Sequence, residues 1–498
     1  MTTMHSLALT VLGSAALLCS GGAMAQDTPR GREAELEERL RMLEAAVESL
    51  KADLAAARAS APPAAAGGET GAAAPVPAMA EAAPAPAMAE AAPAPAIAES
   101  AGSKTADLLV IGEGRWAAIE DRLAQQESRE GFRMGRSTFR IGSTVVLWSA
   151  YSIYRNGTPA PGAFIRDFYI PQQIPVGGQR STTVDAHAKQ TRIWASGTAD
   201  VAGDPVVGYV EADFQIAPGL QGTARTTNGY NLSLRHARVS WRGLVIGQDW
   251  TTFQNVAALP EAVDFVGPIE GTVFVRQPVI RWTTGLAGKT RLSVALENPI
   301  TSFITPTSAA LKESDDATVP DVVAKLAGQA GKAQWSLAGI VTDVSINNGD
   351  AKDSTIGWGL SAAGRIPFGR DLRHDFRFML TGGSGIGHYV GLNFAPDGVI
   401  ADGRVHTVDL LAGFAALRIG WSRRWRSTFM GAFQRVDYPD VMLPDLANKS
   451  TWSVAGNIFV TPFTGWDLGL ELRHGQREVA SGEVGRLDRV EFVSKYSF

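Results

Sequence analysis

The chain has 498 residues, 45% hydrophobic and 19% charged, with 53 glycines and a formal net charge of −4. That composition excludes a wholly disordered chain, and the mildly acidic balance without long basic runs argues against a nucleic-acid binder. Beyond the first 25 residues no run reaches the ~18 consecutive apolar residues that a transmembrane helix requires, so any membrane passage must be made by strands.

Residues 6–24 read SLALTVLGSAALLCSGGAM, and Ala23-Met24-Ala25 puts small residues at a cleavage position. This predicts a signal peptide over 1–25, cut before Gln26. Cys19 is the only cysteine and falls within it, so no disulfide holds the exported chain. Leu36, Leu40, Leu43, Val47, Leu50 and Leu54 then follow at spacings of 4, 3, 4, 3 and 4, an a/d heptad seam that predicts a periplasmic coiled coil over 26–59. Its apolar stripe needs sister helices, but leucine at both a and d does not separate dimer from trimer. Residues 60–131 read as an Ala/Pro-rich linker with a short helix, PAMAEAAPA recurring from Pro77 through Pro86 to Pro95, which predicts a semi-rigid spacer. From 26 to 130 there are 10 basic and 18 acidic residues; from 131 to 498 there are 36 and 32, with arginine supplying 28 of the 36. The tail is acidic and the body mildly basic.

From 132 to 498 the hydrophobic period is 2. Trp466, Leu468, Leu470 and Leu472 alternate with Asp467, Gly469, Glu471 and Arg473. Sixteen such segments are expected, from 136–153, 185–200 and 205–216 to 464–476 and 486–498. Tight turns such as Ala202-Gly203, Gly243 and Gly288 alternate with long loops at 154–184, 252–272 and 383–405. The last strand carries Val490, Phe492, Ser494, Tyr496 and the terminal Phe498 on one parity, and Trp425, Trp452, Trp466 and Tyr496 suit interfacial girdles. The predicted class is all-β: a 16-stranded antiparallel transmembrane β-barrel preceded by a short α-helical coiled coil.

A barrel of this size leaves an aqueous lumen, so something must narrow it. Loop 252–272 is the candidate: Ala257, Leu259, Val263, Phe265 and Ile269 give it an apolar side to pack on the wall, and Glu261, Asp264 and Glu270 place acid opposite bases. Parity assigns Arg136, Arg140, Arg192, Arg235, Arg373 and Arg377 to the lumen, because charge on the lipid face at midplane costs ~2–4 kcal/mol. Arg276 and Arg281 differ in parity, so both point inward only across a bulge or at the rim. A ring of arginines favours anions, unless Glu211, Asp213, Asp409 and Glu471 neutralise it. His187, His236, His374, His388, His406 and His474 are scattered without catalytic or metal-ligand spacing, so no enzymatic activity, metal or cofactor is expected.

The order of coiled coil, Ala/Pro spacer and barrel resembles the DcaP-like porins, as do DFYIPQQIPV (167–176), GYVEADF (208–214), LRHARVSW (234–241), GQDWTTF (247–253), ALPEAVDFVGP (258–268) and VFVRQPVIRW (273–282). The resemblance implies a trimeric, sixteen-stranded channel in the outer membrane of a Gram-negative bacterium, with the N-terminal coiled coil in the periplasm. It implies passive, anion-preferring diffusion of small solutes such as dicarboxylates. The expected partners are two further copies of the chain, outer-membrane lipid, small anionic solutes and, through the N-terminal helix, a periplasmic protein or the cell wall. The alternative is an envelope tether with a non-selective pore.

Overall fold

The computed structural model describes residues 131–216, 229–347 and 351–498; the signal peptide, heptad helix and Ala/Pro spacer lie outside the described residues. The wall consists of β1 (Ser137–Tyr154), β2 in two pieces (Ser181–His187 and Arg192–Val201), β3 (Asp204–Asp213), β4 (Ser233–Trp241), β5 (Leu244–Trp250), β6 (Arg276–Gly285), β7 (Arg291–Glu297) and β8 (Asp321–Ala330). It continues with β9 (Ala333–Asn347), β10 (Lys352–Phe368), β11 (His374–Ser384), β12 (Asp409–Gly420), β13 (Trp425–Asp437), β14 (Asn448–Val460), β15 (Trp466–Val479) and β16 (Val484–Ser497). Each strand pairs antiparallel with the next, and β16 returns to β1 in a register running from Ser497↔Thr144 to Leu487↔Tyr154. The barrel is closed and has no free edge.

The period-2 pattern sets which face meets lipid. On β10, Ile356, Trp358 and Leu360 are exposed outward, while Gly359 and Ser361 are buried on the other face. Trp241, Trp282, Trp335, Trp425 and Tyr496 are exposed near the strand ends at the short-turn side, the position of an interfacial girdle. The short turns are two-residue hairpins where the chemistry permits: Ala202 (φ 55°) with Gly203 (φ 86°), and Arg242 (φ 48°) with Gly243 (φ 83°). Positive φ at both positions matches the right-handed strand twist. The long connections all lie at the other end.

Two features depart from the sequence reading. The segment expected at 185–200 is broken at 188–191, where the Thr191 hydroxyl accepts from the Val146 amide at 3.1 Å in place of a ladder bond. Loop 298–320 and loop 385–408 also contribute four short strands, Thr301–Thr305, Ser308–Ser314, Gly398–Ala401 and Arg404–Thr407, which form a separate small sheet.

The main apolar core lies inside the barrel and is built from its loops. Ile165, Phe168, Tyr169 and Ile174 come from loop L1 (155–180), Phe253, Val256, Leu259 and Ile269 from L3 (251–275), and Ile386, Tyr389 and Phe394 from L6 (385–408). All these side chains are buried, against wall residues such as Tyr154, Ile340, Met379 and Phe414.

Candidate functional site: the lumenal constriction

L3 is laid along the inner wall and tied to one strand after another. The Thr252 amide donates to Glu297 of β7 at 2.6 Å, and Asn255 Nδ2 to Ser336 Oγ of β9 at 2.7 Å. Arg377 of β11 donates to the Leu259 carbonyl. Arg426 of β13 grips the Glu261 carboxylate with Nε and Nη2 at 2.8 and 2.9 Å, and Asn457 of β14 holds the Glu261 carbonyl at 2.7 Å. The Val263 amide donates to Glu471 of β15 at 2.9 Å. The returning arm meets L6 through Phe274 N to Tyr389 O (2.9 Å) and Gly391 N to Thr272 O (3.0 Å). Where this arm crosses β12, a side chain at Gly271 would collide with the Gly413 backbone, so only glycine allows the approach.

Because L3 occupies the side of β7 to β15, the opening falls between its tip and β1, β2, β4 and β16. A cavity of about 110 Å³ lies there, with Arg192, Arg235, Lys495 and, directly opposite Lys495 in the ladder, Asp467 on the wall side, and Pro260, Ala262, Asp264 and Phe265 on the loop side. Arg235 Nε meets Glu211 at 2.6 Å, its Nη1 meets Asp213, and its guanidinium lies 5.6 Å from the centroid of the Phe265 ring. Arg192 Nε is 3.3 Å from Glu211, whose other oxygen accepts from the Tyr209 hydroxyl at 2.6 Å. Arg276 stacks 5.0 Å over Trp250, and its Nη1 is buried without a partner. Arg192 and Arg235 thus share Glu211, Arg235 also takes Asp213, Arg276 stands beside them, and Lys495 faces Asp467. Across the cavity Asp264 accepts the amides of Tyr169 (2.7 Å), Val266 and Gly267 (3.0 Å each), so its charge is engaged in holding the L3 tip to L1.

Several other inward arginines are engaged by carboxylates of the wall. Arg281 and Arg238 both bind Asp249, at 2.6 and 2.8 Å, and His236 Nδ1 approaches the same carboxylate at 3.0 Å. Arg377 binds Asp375, which Arg365 also reaches at 3.1 Å.

The structure thus brings Arg192 and Arg235 to the opening, with Arg276 beside it. Arg276 and Arg281 both point inward, because Arg276 is the first residue of β6 and lies at the rim. Arg140 has the parity opposite to the exposed Ile141 and stands near the short-turn mouth. Arg136 and Arg373 are not on the wall: both lie in turns before their strands, and Arg373 pairs with exposed Asp371. Parity counting fails there because the strands begin at Ser137 and His374. Glu261 and Asp264 serve as anchors, and Glu270 is fully buried in the returning arm. Asp409 is exposed and on the outward parity of Leu411, so it does not face the lumen arginines. The insertion of L1 was not anticipated; its run Phe168, Tyr169, Ile170 and Ile174 carried the same signal as L3, apolar side chains in a long loop. Asp249 and Asp375 were missed as counter-charges although each has inward parity beside an arginine.

No family model matches the chain, and no curated protein does. Among solved structures it is similar to the crystal structure of the outer membrane channel DcaP of Acinetobacter baumannii, with 22% identity over 74% of this chain and 100% of that one, at a TM-score of 0.63. The barrel has the DcaP fold. An anion-selective porin from Comamonas acidovorans is also matched, at 12% identity over 73% of this chain and 100% of that one, with a TM-score of 0.47. The fold expected from the resemblance to DcaP-like porins is therefore the fold observed, that of a closed sixteen-stranded barrel.

Proposed function

We propose that this protein is an outer-membrane porin, a homotrimer that passes small anionic solutes, dicarboxylates among them, by passive diffusion. The observation that supports this most directly is the composition of the opening: three guanidiniums, those of Arg192, Arg235 and Arg276, stand by two carboxylates, Glu211 and Asp213, while Lys495 faces Asp467 and Asp264 is bonded away into main-chain amides. A passing anion meets guanidinium groups whose charge exceeds that of their counter-ions, and weak multi-site binding of this kind lets solutes enter and leave. The similarity in fold to an outer membrane channel is consistent with the same location, with the short turns on the periplasmic side.

The test is recording from the purified mature protein in a planar bilayer under a KCl gradient, followed by added succinate. A reversal potential of anionic sign, closure in three steps and succinate-dependent blockades are the expected results. Cation-selective current indifferent to succinate refutes the reading.

A further inference from the structure

We propose that the Glu261 carboxylate is a built-in pseudo-ligand, and that Arg418 and Arg426, which hold it, form a second carboxylate-binding site for solute, across the same cavity from Arg192 and Arg235. This rests on the porin reading and extends it to a site on the opposite wall.

Arg365, Arg377, Arg418 and Arg426 lie on four consecutive strands, β10 to β13, close to their short-turn ends. Arg365 and Arg377 are directly opposite in the ladder, and Arg418 is opposite Asp375. Like charges in directly opposed positions destabilise a strand pair unless anions lie between them. Three carboxylates serve these four guanidiniums. Asp375 takes Arg377 and Arg365, with Arg418 at 3.9 Å. Asp467 takes Arg426 at 3.0 Å. The third is Glu261, which belongs to L3 and not to the wall, held in a two-pronged fork by Arg426 at 2.8 and 2.9 Å with Arg418 at 3.5 Å. That fork is the arrangement in which a free carboxylate is bound.

The Glu261 side chain can leave without taking L3 with it. Its carbonyl is held by Asn457, and the residues on either side are fixed by Arg377 to Leu259 O and by Glu471 to Val263 N. The side chains of Glu261 and Arg418 are 15% and 16% exposed, and that of Arg365 is 23% exposed, so the edge of the cluster is open to the lumen. A solute carboxylate entering at Arg418 replaces Glu261 in the fork, while Asp375 keeps Arg365 and Arg377.

The experiment uses the mature full-length protein inserted in one orientation, with succinate added to either side and block read from single-channel current. Glu261→Gln removes the competing charge while keeping the shape, so succinate from the short-turn side is expected to block at about tenfold lower concentration, the worth of one charge-assisted hydrogen bond. Arg418→Gln is expected to raise that concentration about tenfold. Heat-modifiable gel migration confirms that each barrel is folded. An unchanged blocking concentration in Glu261→Gln, or in Arg418→Gln, overturns the site while leaving the porin reading in place. A wild-type channel without anion preference overturns both.

Discussion

Replacing Arg192 by Gln removes one positive charge from the wall of the constriction without dismantling it. Glu211 keeps Arg235 Nε at 2.6 Å and the Tyr209 hydroxyl at 2.6 Å, so no buried carboxylate is left bare. A cavity of about 110 Å³, taken as a sphere, has a radius of ~3 Å, which puts a guanidinium on its wall ~6 Å from a passing ion. At a water-like dielectric, one unit charge at that distance is worth ~0.7 kcal/mol, about threefold in the local concentration of a monovalent ion. The loss acts against the anion and for the cation, so the anion-to-cation permeability ratio is expected to fall roughly tenfold. The measurement is the reversal potential across a KCl gradient at low ionic strength; near 0.01 M the Debye length is ~30 Å and screening is slight. A ratio that stays unchanged in Arg192→Gln refutes the assignment of this wall to ion selection, since no other feature of the substitution compensates the lost charge.

On the outer face, Leu360→Arg should cost ~2–4 kcal/mol of stability in lipid, measured by urea unfolding from vesicles, and a cost near zero would mean that β10 does not face the bilayer there. Asp264→Ala removes the acceptor for three amides of L1 and L3, so the L3 tip should loosen; open-channel noise and mean conductance should both rise, and a quiet channel of unaltered conductance would refute the anchoring role. In L6, burial alone would lower the affinity of His388 for a proton. The Asp397 carboxylate at 2.8 Å, with Asp321 and Glu313 near it, outweighs burial and raises the group above the ordinary histidine value. Its contribution to docking of L6 is therefore complete below about pH 6.5 and is lost as pH climbs through the raised value. Hydrogen exchange at Gly398–Thr407, corrected for intrinsic rate, should accelerate over that rise in the native chain and lose this pH dependence in His388→Gln.

The wall was legible because lipid imposes a strict rule: each outward residue must be apolar, and period-2 alternation displays that directly, as in Ile356, Trp358 and Leu360. The alternation of tight turns and long loops revealed the direction of the strands. The break in β2 was hidden because the Thr191 hydroxyl stands in for a main-chain group, and nothing in the residue types marks that exchange. At the site, parity assigns Arg192 and Arg235 to the lumen but is silent on what each one grips there. Arg281 and Arg377 share the inward parity of Arg192 and Arg235, yet they are engaged by Asp249 and Asp375. Which arginine lines the cavity depends on where L3 lies, and that depends on hydrogen bonds between residues more than a hundred positions apart, such as Arg377 with Leu259 and Glu471 with Val263.

The apolar cluster inside the barrel has a consequence for assembly. Its members come from L1, L3 and L6 and from wall strands as far apart as β1 and β12, so no contiguous stretch of chain contains enough of it to condense early. A growing sheet can add strands one by one while these loops trail at its rim, but the cluster packs completely only once β16 has met β1. Seam closure and loop collapse are thus a single late event with a long loop-closure entropy to overcome. A chain halted just before it presents greasy loops on the face that should become a water-filled passage, which makes the nearly finished barrel the most adhesive species along its own assembly route.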